Sequence, residues 1–223
     1  MKNNFQIYKT IRLNFMKTAL LLIFMALALI SCSWNQSKPD VPGVSGNAST
    51  DSAMISKDTL IFDLTDQVLT TMKNKNYAGL SEFFHPVLGV RFSPYAFIDT
   101  SSDVKLTKAA FMDQIKKRNK LNWGSFDGSG ESIHLTIEEY FTRFVYSADF
   151  FNAEQKSLNK VIGRGNTLNN IEAVYKGCDF IECYFPGFDK KLEGIDWCSL
   201  RLIFKEYRHK YFLVGVVHDQ WTI

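Results

Sequence analysis

Cysteine is scarce in this chain, and its spacing excludes two common uses of the residue. The 223 residues contain four cysteines, and no two of them are separated by two residues. A zinc ribbon and a thioredoxin-type redox pair both need that short spacing. Besides Cys32, the cysteines are Cys178, Cys183 and Cys198. We favour buried thiols for these three, with one disulfide between neighbouring strands as the alternative.

Acidic residues are absent from positions 1–31, where four basic residues lie. Of the 26 basic residues in the chain, 22 therefore lie beyond position 31, against 23 acidic ones. The surplus of positive charge belongs to this N-terminal segment, and no basic stripe remains of the kind that nucleic-acid binding requires. We therefore expect no nucleic-acid partner.

The leader also lacks an apolar run long enough to cross a bilayer. Its apolar stretch, ALLLIFMALALI, has about 12 residues, whereas a membrane-spanning helix needs roughly 20. Basic residues before the stretch and a small residue after it predict a secretory signal over 1–31. A start at Met16 instead of Met1 would still give a complete signal. An uncleaved membrane anchor is the alternative.

The leader ends in LISC, at positions 29–32. This tetrapeptide resembles the lipobox of bacterial lipoproteins, in which signal peptidase II cleaves before the cysteine and the cysteine carries the lipid. The resemblance implies a lipoprotein acylated on Cys32, with palmitate among its chains, and two or more acyl chains bind a membrane stably. We expect a cell-envelope protein that is lipid-anchored to a membrane outside the cytoplasm, with the choice of inner, outer or single membrane open.

Large apolar residues are sparse in residues 32–54, which are rich in Ser, Asn, Pro and Gly. Such a segment cannot bury enough surface to offset its ordering entropy. The composition therefore predicts a flexible tether. Residues 55–223 have the length of a single domain.

The first part of this domain has apolar residues at helical spacing, and the pattern of its second part predicts strands. The pattern predicts helices over 59–75, 78–85, 106–118, 136–146 and 169–177. Asp58 or Thr59 is the expected cap of the first helix, Thr107 that of the third, and Thr136 with Glu139 forms a capping box. A short edge strand or loop is expected near Pro94, and a glycine-rich loop over 123–132.

Strands are predicted over 179–185, 199–207 and 210–221, with a tight hairpin between the last two. Helices followed by an antiparallel sheet indicate an α+β domain. This order resembles the NTF2-like cone, in which a curved sheet wraps around helices and encloses a pocket. The phrases FHPVLGVRFSPY, WGSFDGSGE, GRGNTLNN and VGVVHDQWTI also resemble those of a group of bacterial secreted lipoproteins. Neither resemblance implies one particular activity.

Four residues are candidates for catalysis in such a pocket: His85, Asp127, His218 and Asp219. A histidine beside a carboxylate can act as a general base near neutral pH. Strand alternation places His218 with Val214 and Val216, and Asp219 with Val217 on the other face. These two residues should therefore line one pocket only if a bulge intervenes.

Five residues are candidates for ligand binding, because arginines hold polar groups and exposed aromatic rings stack on sugars or flat ligands. They are Arg91, Tyr95, Trp123, Arg201 and Trp221. Structural roles compete with each of them, since Arg201 can pair with a carboxylate in the sheet and the aromatic rings can fill the core.

Two loops resemble ligand-binding motifs without matching them. Residues 127–138 follow a calcium loop at several positions, but Ser132 replaces the glycine that the turn needs. GRGNT, at 163–167, lacks the spacing of a P-loop or a dinucleotide site, so we expect a structural turn capped by Thr167 or Asn169. We expect no metal and no cofactor.

These observations favour an envelope lipoprotein whose domain is a ligand-binding or interaction module. Its partners would be the membrane, through acylated Cys32, and a small molecule, a glycan or an envelope protein. The alternative is a pocket enzyme, a hydrolase or isomerase that uses a histidine base.

Overall fold

The computed structural model describes residues 56–222. The predicted signal over 1–31, the tether over 32–54 and Cys32 lie outside the described residues. Within 56–222, no helix combines the length and the apolar character that crossing a membrane would require.

Five short to medium α-helices occur in the described part of the chain. They are α1 (Lys57–Lys73), α2 (Tyr77–Ser81), α3 (Lys108–Lys117), α4 (Ile137–Tyr140) and α5 (Ile171–Val174). A π-helical turn, Phe141–Val145, continues α4, and 3₁₀ turns lie at Phe150–Asn152 and Lys190–Leu192. All five predicted helices exist, although four are shorter than predicted.

The helix caps follow from local sequence, with one correction. The capping box predicted at Thr136 and Glu139 is present with both of its hydrogen bonds, and the Thr107 hydroxyl accepts from Ala110 N–H. The prediction of Asp58 or Thr59 as the first cap is wrong, because α1 begins earlier and Ser56 accepts from Thr59 N–H.

Eight strands form two sheets within 56–222. They are β1 (Val90–Ser93), β2 (Val104–Leu106), β3 (Leu121–Ser125), β4 (Ser132–Leu135), β5 (Gln155–Leu158), β6 (Asp179–Phe185), β7 (Cys198–Tyr207) and β8 (Lys210–Gln220). The large sheet has the order β2-β1-β8-β7-β6-β5, and β3 pairs with β4 in a separate hairpin. The predicted loop over 123–132 is therefore partly this hairpin.

The large sheet is antiparallel except where β1 runs parallel to β8. The prediction that β1 is an edge strand or loop is wrong, because β1 lies between β2 and β8 and Pro94 follows only after its last residue. The α+β class is confirmed, with N-terminal helices packed on a curved, mostly antiparallel sheet.

The inner face of the sheet packs against the helices and the β3–β4 hairpin through an aromatic core. Phe92, Phe111, Trp123, Tyr140 and Phe144 are all buried in this layer. Trp123 stacks on Tyr140 with ring centroids 3.8 Å apart. Aromatic side chains therefore occupy much of the interior where the resemblance implies a pocket.

The outer face of the sheet is also covered. Ile203 and Val217 project outward and form a second apolar cluster with Ile171, beneath residues 159–176. Both faces of this sheet are therefore covered. The domain has three layers, with the sheet between the helices and this outer segment.

A bulge in β8 changes which residues share a face. The register shifts between the pairs Ile203–Gly215 and Phe204–Leu213, so Val214 is the extra residue. The prediction that Val214 lies with Val216 and His218 is wrong for this reason, because Val214 packs in the outer cluster while Val216 packs in the inner core.

Candidate functional site

Three buried charged side chains lie together on the outer face of the sheet. Glu182 on β6 pairs in register with Arg201 on β7. Asp219 lies on the next strand, β8, where it pairs with Ser199. Arg201 Nη2 lies 2.8 Å from Glu182 Oε1 and 2.8 Å from Asp219 Oδ2, and Arg201 Nε donates to Glu182 Oε1 over 3.0 Å. Exposure is 0% for Glu182 and Arg201 and 2% for Asp219.

This trio holds the segment between β5 and α5, residues 159–170, which we call the strap. Glu182 accepts hydrogen bonds from the backbone N–H groups of Ile162 and Gly163. Arg201 Nη2 donates to the carbonyl oxygen of Gly163 over 3.1 Å. The buried charges thus satisfy the backbone of the strap as well as one another, as buried polar groups must.

The two glycines of GRGNT allow the strap to lie on an indole. A Cβ atom at Gly163 would stand 2.7 Å from Trp197 Cζ3, and one at Gly165 would stand 2.9 Å from Trp197 Cζ2. A Cβ atom does not approach another carbon atom this closely, so a side chain at either position would force the strap or the indole to shift. The motif is thus a structural turn, and Asn169 accepts a hydrogen bond from Ile171 N–H just before α5, whose N-cap is Asn170.

Asparagine side chains fix the strap at both ends. Asn159 bonds Asp179 and the backbone N–H of Phe180. Asn170 exchanges two hydrogen bonds with the backbone of Ile98. The position of the strap is therefore set by polar contacts with three separate parts of the chain, the trio included.

A cleft of about 920 Å³ lies under the strap and α5, with Asp219 among its lining residues. Asp219 Oδ1 and Arg201 Nη1 are buried and have no hydrogen-bond partner within residues 56–222. Burial raises the pKa of Asp219 to about 6, although Arg201 opposes the shift. A buried carboxylate oxygen without a partner costs about 1–3 kcal/mol, and a donor group placed beside it would remove that cost.

His218 lies on the opposite face of the same strand. Its Nδ1 is 3.2 Å from the carbonyl oxygen of Pro94, and its ring packs against Phe144. The residue is 1% exposed, and this burial lowers the pKa of His218 to about 4. The strand geometry thus separates His218 from Asp219, as alternation predicts.

His85 lies in a third place, just after α2. Its Nδ1 accepts from the backbone N–H groups of Val87 and Leu88 over 3.2 and 3.0 Å. Its backbone N–H donates to Leu213 O, and burial lowers the pKa of its buried imidazole. The two imidazoles therefore belong to unrelated hydrogen-bond networks.

Tyr95 and Asp127 meet near the C-terminal end of β8. The backbone N–H of Asp127 donates to the Tyr95 hydroxyl over 3.2 Å. Both line two adjoining cavities of about 480 Å³ each, one of which also includes Trp221. Trp221 is 38% exposed, whereas Trp123 is fully buried and donates from Nε1 to Leu135 O.

The side chain of Arg91, on β1, stabilises the loop between β1 and β2. Its Nη1 contacts the carbonyl oxygens of Asp99, Thr100 and Asp103 at 3.1–3.5 Å. Burial raises the pKa of the Asp103 carboxyl to about 6, and its Oδ2 accepts from Ser93. Asp103 is a half-buried acidic residue that sequence reasoning missed.

The remaining cysteines are free thiols, half-buried at Cys178 and buried at Cys183 and Cys198. Burial raises the pKa of Cys183 and of Cys198 to about 12, which makes both unreactive. In the part of the chain that the structure describes, no three His, Cys, Asp or Glu side chains are grouped as metal ligands.

Glu182 is the member of the trio that sequence reasoning missed. It is the acidic residue at the centre of the apolar strand DFIECYF. An isolated carboxylate among buried residues requires a partner, and Arg201 in the neighbouring strand SLRLIFKEY supplies one.

No family model matches the chain, and no curated protein matches it. Five chains of solved structures are similar to this one, and three of them are 8–10% identical to it. A protein from Xanthomonas campestris described as a calcium/calmodulin-dependent protein kinase II association domain is 8% identical, with a TM-score of 0.31 over 75% of this chain and 89% of its own.

Aln2 from a Streptomyces species is 9% identical, with a TM-score of 0.33 over 74% of this chain and 92% of its own. A five-substitution variant of a protein named Rd1NTF2_05 is 10% identical, with a TM-score of 0.31 over 74% of this chain and 100% of its own. Scores of this size carry no argument about function.

Proposed function

We propose that this chain is a lipid-anchored protein of the cell envelope whose domain binds a small polar ligand under the strap. One observation carries the binding site. Asp219 is almost fully buried and lines the cleft, yet its Oδ1 has no partner within the described residues. A bound donor group would remove the cost of that unmatched oxygen.

We further propose that the domain is an NTF2-like cone. The element order supports this, since two N-terminal helices pack on a curved sheet whose long C-terminal strands are β7 and β8. Because aromatic side chains fill the inner layer, the candidate site is the cleft on the outer face of the sheet and not a pocket in the interior.

Binding is favoured over catalysis because the candidate catalytic groups do not converge. A general base needs a neighbouring carboxylate and a space of about 3 Å for the reacting atom. His85 uses Nδ1 for two backbone groups, and His218 bonds Pro94 on the face opposite Asp219. No observation favours the hydrolase or isomerase alternative.

The binding site can be tested on the full chain in detergent by thermal shift. The probes are neutral sugars, sugar phosphates, amino acids and polyamines, each at millimolar concentration. We expect at least one class to raise the melting temperature, and expect Asp219→Asn to abolish that rise. Asp113→Asn is the matched control, because Asp113 is an exposed aspartate whose partner is Lys117. A panel without any response would contradict the proposal.

The anchor is supported by the LISC sequence and the short apolar leader. Metabolic labelling with palmitate tests it. We expect label on the wild-type chain and on Cys178→Ala, and none on Cys32→Ala, which should also leave the membrane fraction. Label or membrane retention in Cys32→Ala would overturn the anchor without affecting the cleft.

A further inference from the structure

We infer that the ligand under the strap is a neutral, polyhydroxylated molecule of the saccharide class, which binds through a hydroxyl group that donates to Asp219 Oδ1. The inference rests on the proposed function, because it assigns a chemical class to the same cleft.

The floor of the cleft selects a hydrogen-bond donor. Asp219 Oδ2 is engaged by Arg201 Nη2 at 2.8 Å, which orients the carboxylate, while Oδ1 is buried and has no partner within residues 56–222. Because Oδ1 has almost no accessible surface, a ligand reaches it only by displacing the atoms that cover it. Glu182 and Asp219 face a single guanidinium, so the ionised trio has a net charge of −1. This negative charge would repel an anionic ligand strongly, because the two charges would be close together in a site of low dielectric.

The rim of the cleft disfavours the opposite charge. Its charged residues are Lys160, Arg164, Lys176 and Glu172, and all four side chains are exposed. Three cations against one carboxylate repel a cationic ligand at the entrance. A neutral ligand is the class that neither the rim nor the floor opposes.

The strap adds polar atoms suited to hydroxyl groups. Asn169 uses its carbonyl oxygen for Ile171 N–H, so its Nδ2 remains as a donor. Asn166 uses Nδ2 for Thr222 O, so its Oδ1 remains as an acceptor. Both asparagines line the cleft. A hydroxyl group both donates and accepts, so a polyol can match a floor acceptor and these two amide atoms together.

The size of the cleft agrees with this class. Small-molecule sites usually enclose roughly 300–1,000 Å³, and this cleft has about 920 Å³. It therefore has space for more than one sugar ring.

Isothermal titration of the full chain in detergent tests the inference. The probes are maltose, trehalose and N,N′-diacetylchitobiose as neutral saccharides, glucose 6-phosphate as the anion and glucosamine as the cation. We expect a neutral saccharide to bind and both charged probes to bind at least about ten-fold more weakly. We expect Asp219→Asn to weaken the saccharide at least about ten-fold, because a hydrogen bond to a charged group is lost. Asp113→Asn should bind as the wild type does.

The possible results separate this inference from the proposed function. A charged probe that binds more tightly than every saccharide, with loss in Asp219→Asn, would overturn the saccharide class and leave the cleft as the ligand site. Saccharide binding that Asp219→Asn leaves unchanged would overturn the assignment of this cleft. Circular dichroism of Asp219→Asn must show the wild-type spectrum, which establishes that the variant is folded. A second variant, Asn169→Ala, leaves the trio intact and should also weaken saccharide binding.

Discussion

His218 and Asp219 are consecutive in β8 and lie on opposite faces of the sheet. The imidazole bonds Pro94 in the inner layer, and the carboxylate bonds Arg201 under the strap. Adjacency in the sequence suggests a catalytic dyad, but in an extended strand it keeps two side chains apart. The two residues titrate in separate environments, which gives their variants opposite effects on the pH dependence of stability.

The first prediction concerns His218 and acid. Its folded pKa of about 4 lies below the ordinary value of 6.5, so between these values the unfolded chain binds more protons. Its contribution therefore makes the free energy of unfolding rise with pH from about 4 to 6.5. We expect His218→Gln to make the rise smaller in urea titrations, while His85, whose pKa burial also lowers, contributes equally in both proteins. An unchanged slope in that variant would show that the buried imidazole is not the group that titrates.

The second prediction concerns Asp219 and has the opposite sign. Its folded pKa of about 6 lies above the ordinary value of 3.8, so the folded chain binds more protons between these values. Its contribution makes the free energy of unfolding fall as the pH rises from about 4 to 6. Asp219→Asn should therefore show a steeper rise with pH than the wild type. Asp103, which has the same sign, is present in both proteins and cancels in the comparison.

The third prediction concerns the cation of the trio. Arg201→Met leaves Glu182 and Asp219 buried without a positive partner and removes the bond to Gly163 O. We expect a loss of about 3–5 kcal/mol in the free energy of unfolding at pH 7.

The loss in Arg201→Met should be smaller at pH 5, where the Asp219 carboxyl protonates more readily without the guanidinium. Arg164→Met is the control, because Arg164 is an exposed arginine of the strap, and it should change stability by less than about 0.5 kcal/mol. Equal effects of the two variants would contradict a structural role for the trio.

The fourth prediction concerns the contact between the strap and the indole. Gly163→Ala places a Cβ atom 2.7 Å from Trp197, and overpacking of this kind costs about 1–3 kcal/mol. Trp197→Leu should reduce the penalty when the two changes are combined. A double-mutant cycle measures this coupling, and strictly additive effects would show that the close approach is not the cause.

Local features of the chain could be predicted well from sequence. The capping box at Thr136 and the cap at Thr107 depend on residues within one helical turn, and both predictions are confirmed. The long strands β6, β7 and β8 are also confirmed, because runs of Ile, Phe and Val identify buried strands.

Features that depend on distant residues were harder to predict. The sequence near Pro94 predicts an edge strand or loop, but β1 pairs with β8, which lies more than one hundred residues later in the chain. The bulge at Val214 has no local signal in the sequence, and it moves one residue to the other face.

The candidate site could be predicted only in part for the same reason. Arg201 and Asp219 were named from the sequence, but the contact that joins them to Glu182 and the strap depends on three strands lying side by side. Trp123 was named as a stacking platform, and its indole is instead fully buried against Tyr140. Periodicity gives the face of a strand but does not tell which loop covers that face.

The most direct test of the account is a crystal structure of the protein bound to the saccharide that gives the largest thermal shift. We predict electron density for the sugar under the strap, with a hydroxyl oxygen about 2.5–2.8 Å from Asp219 Oδ1. Density for the ligand only in the groove beside Tyr95 and Trp221, with the cleft under the strap holding none, would contradict the account.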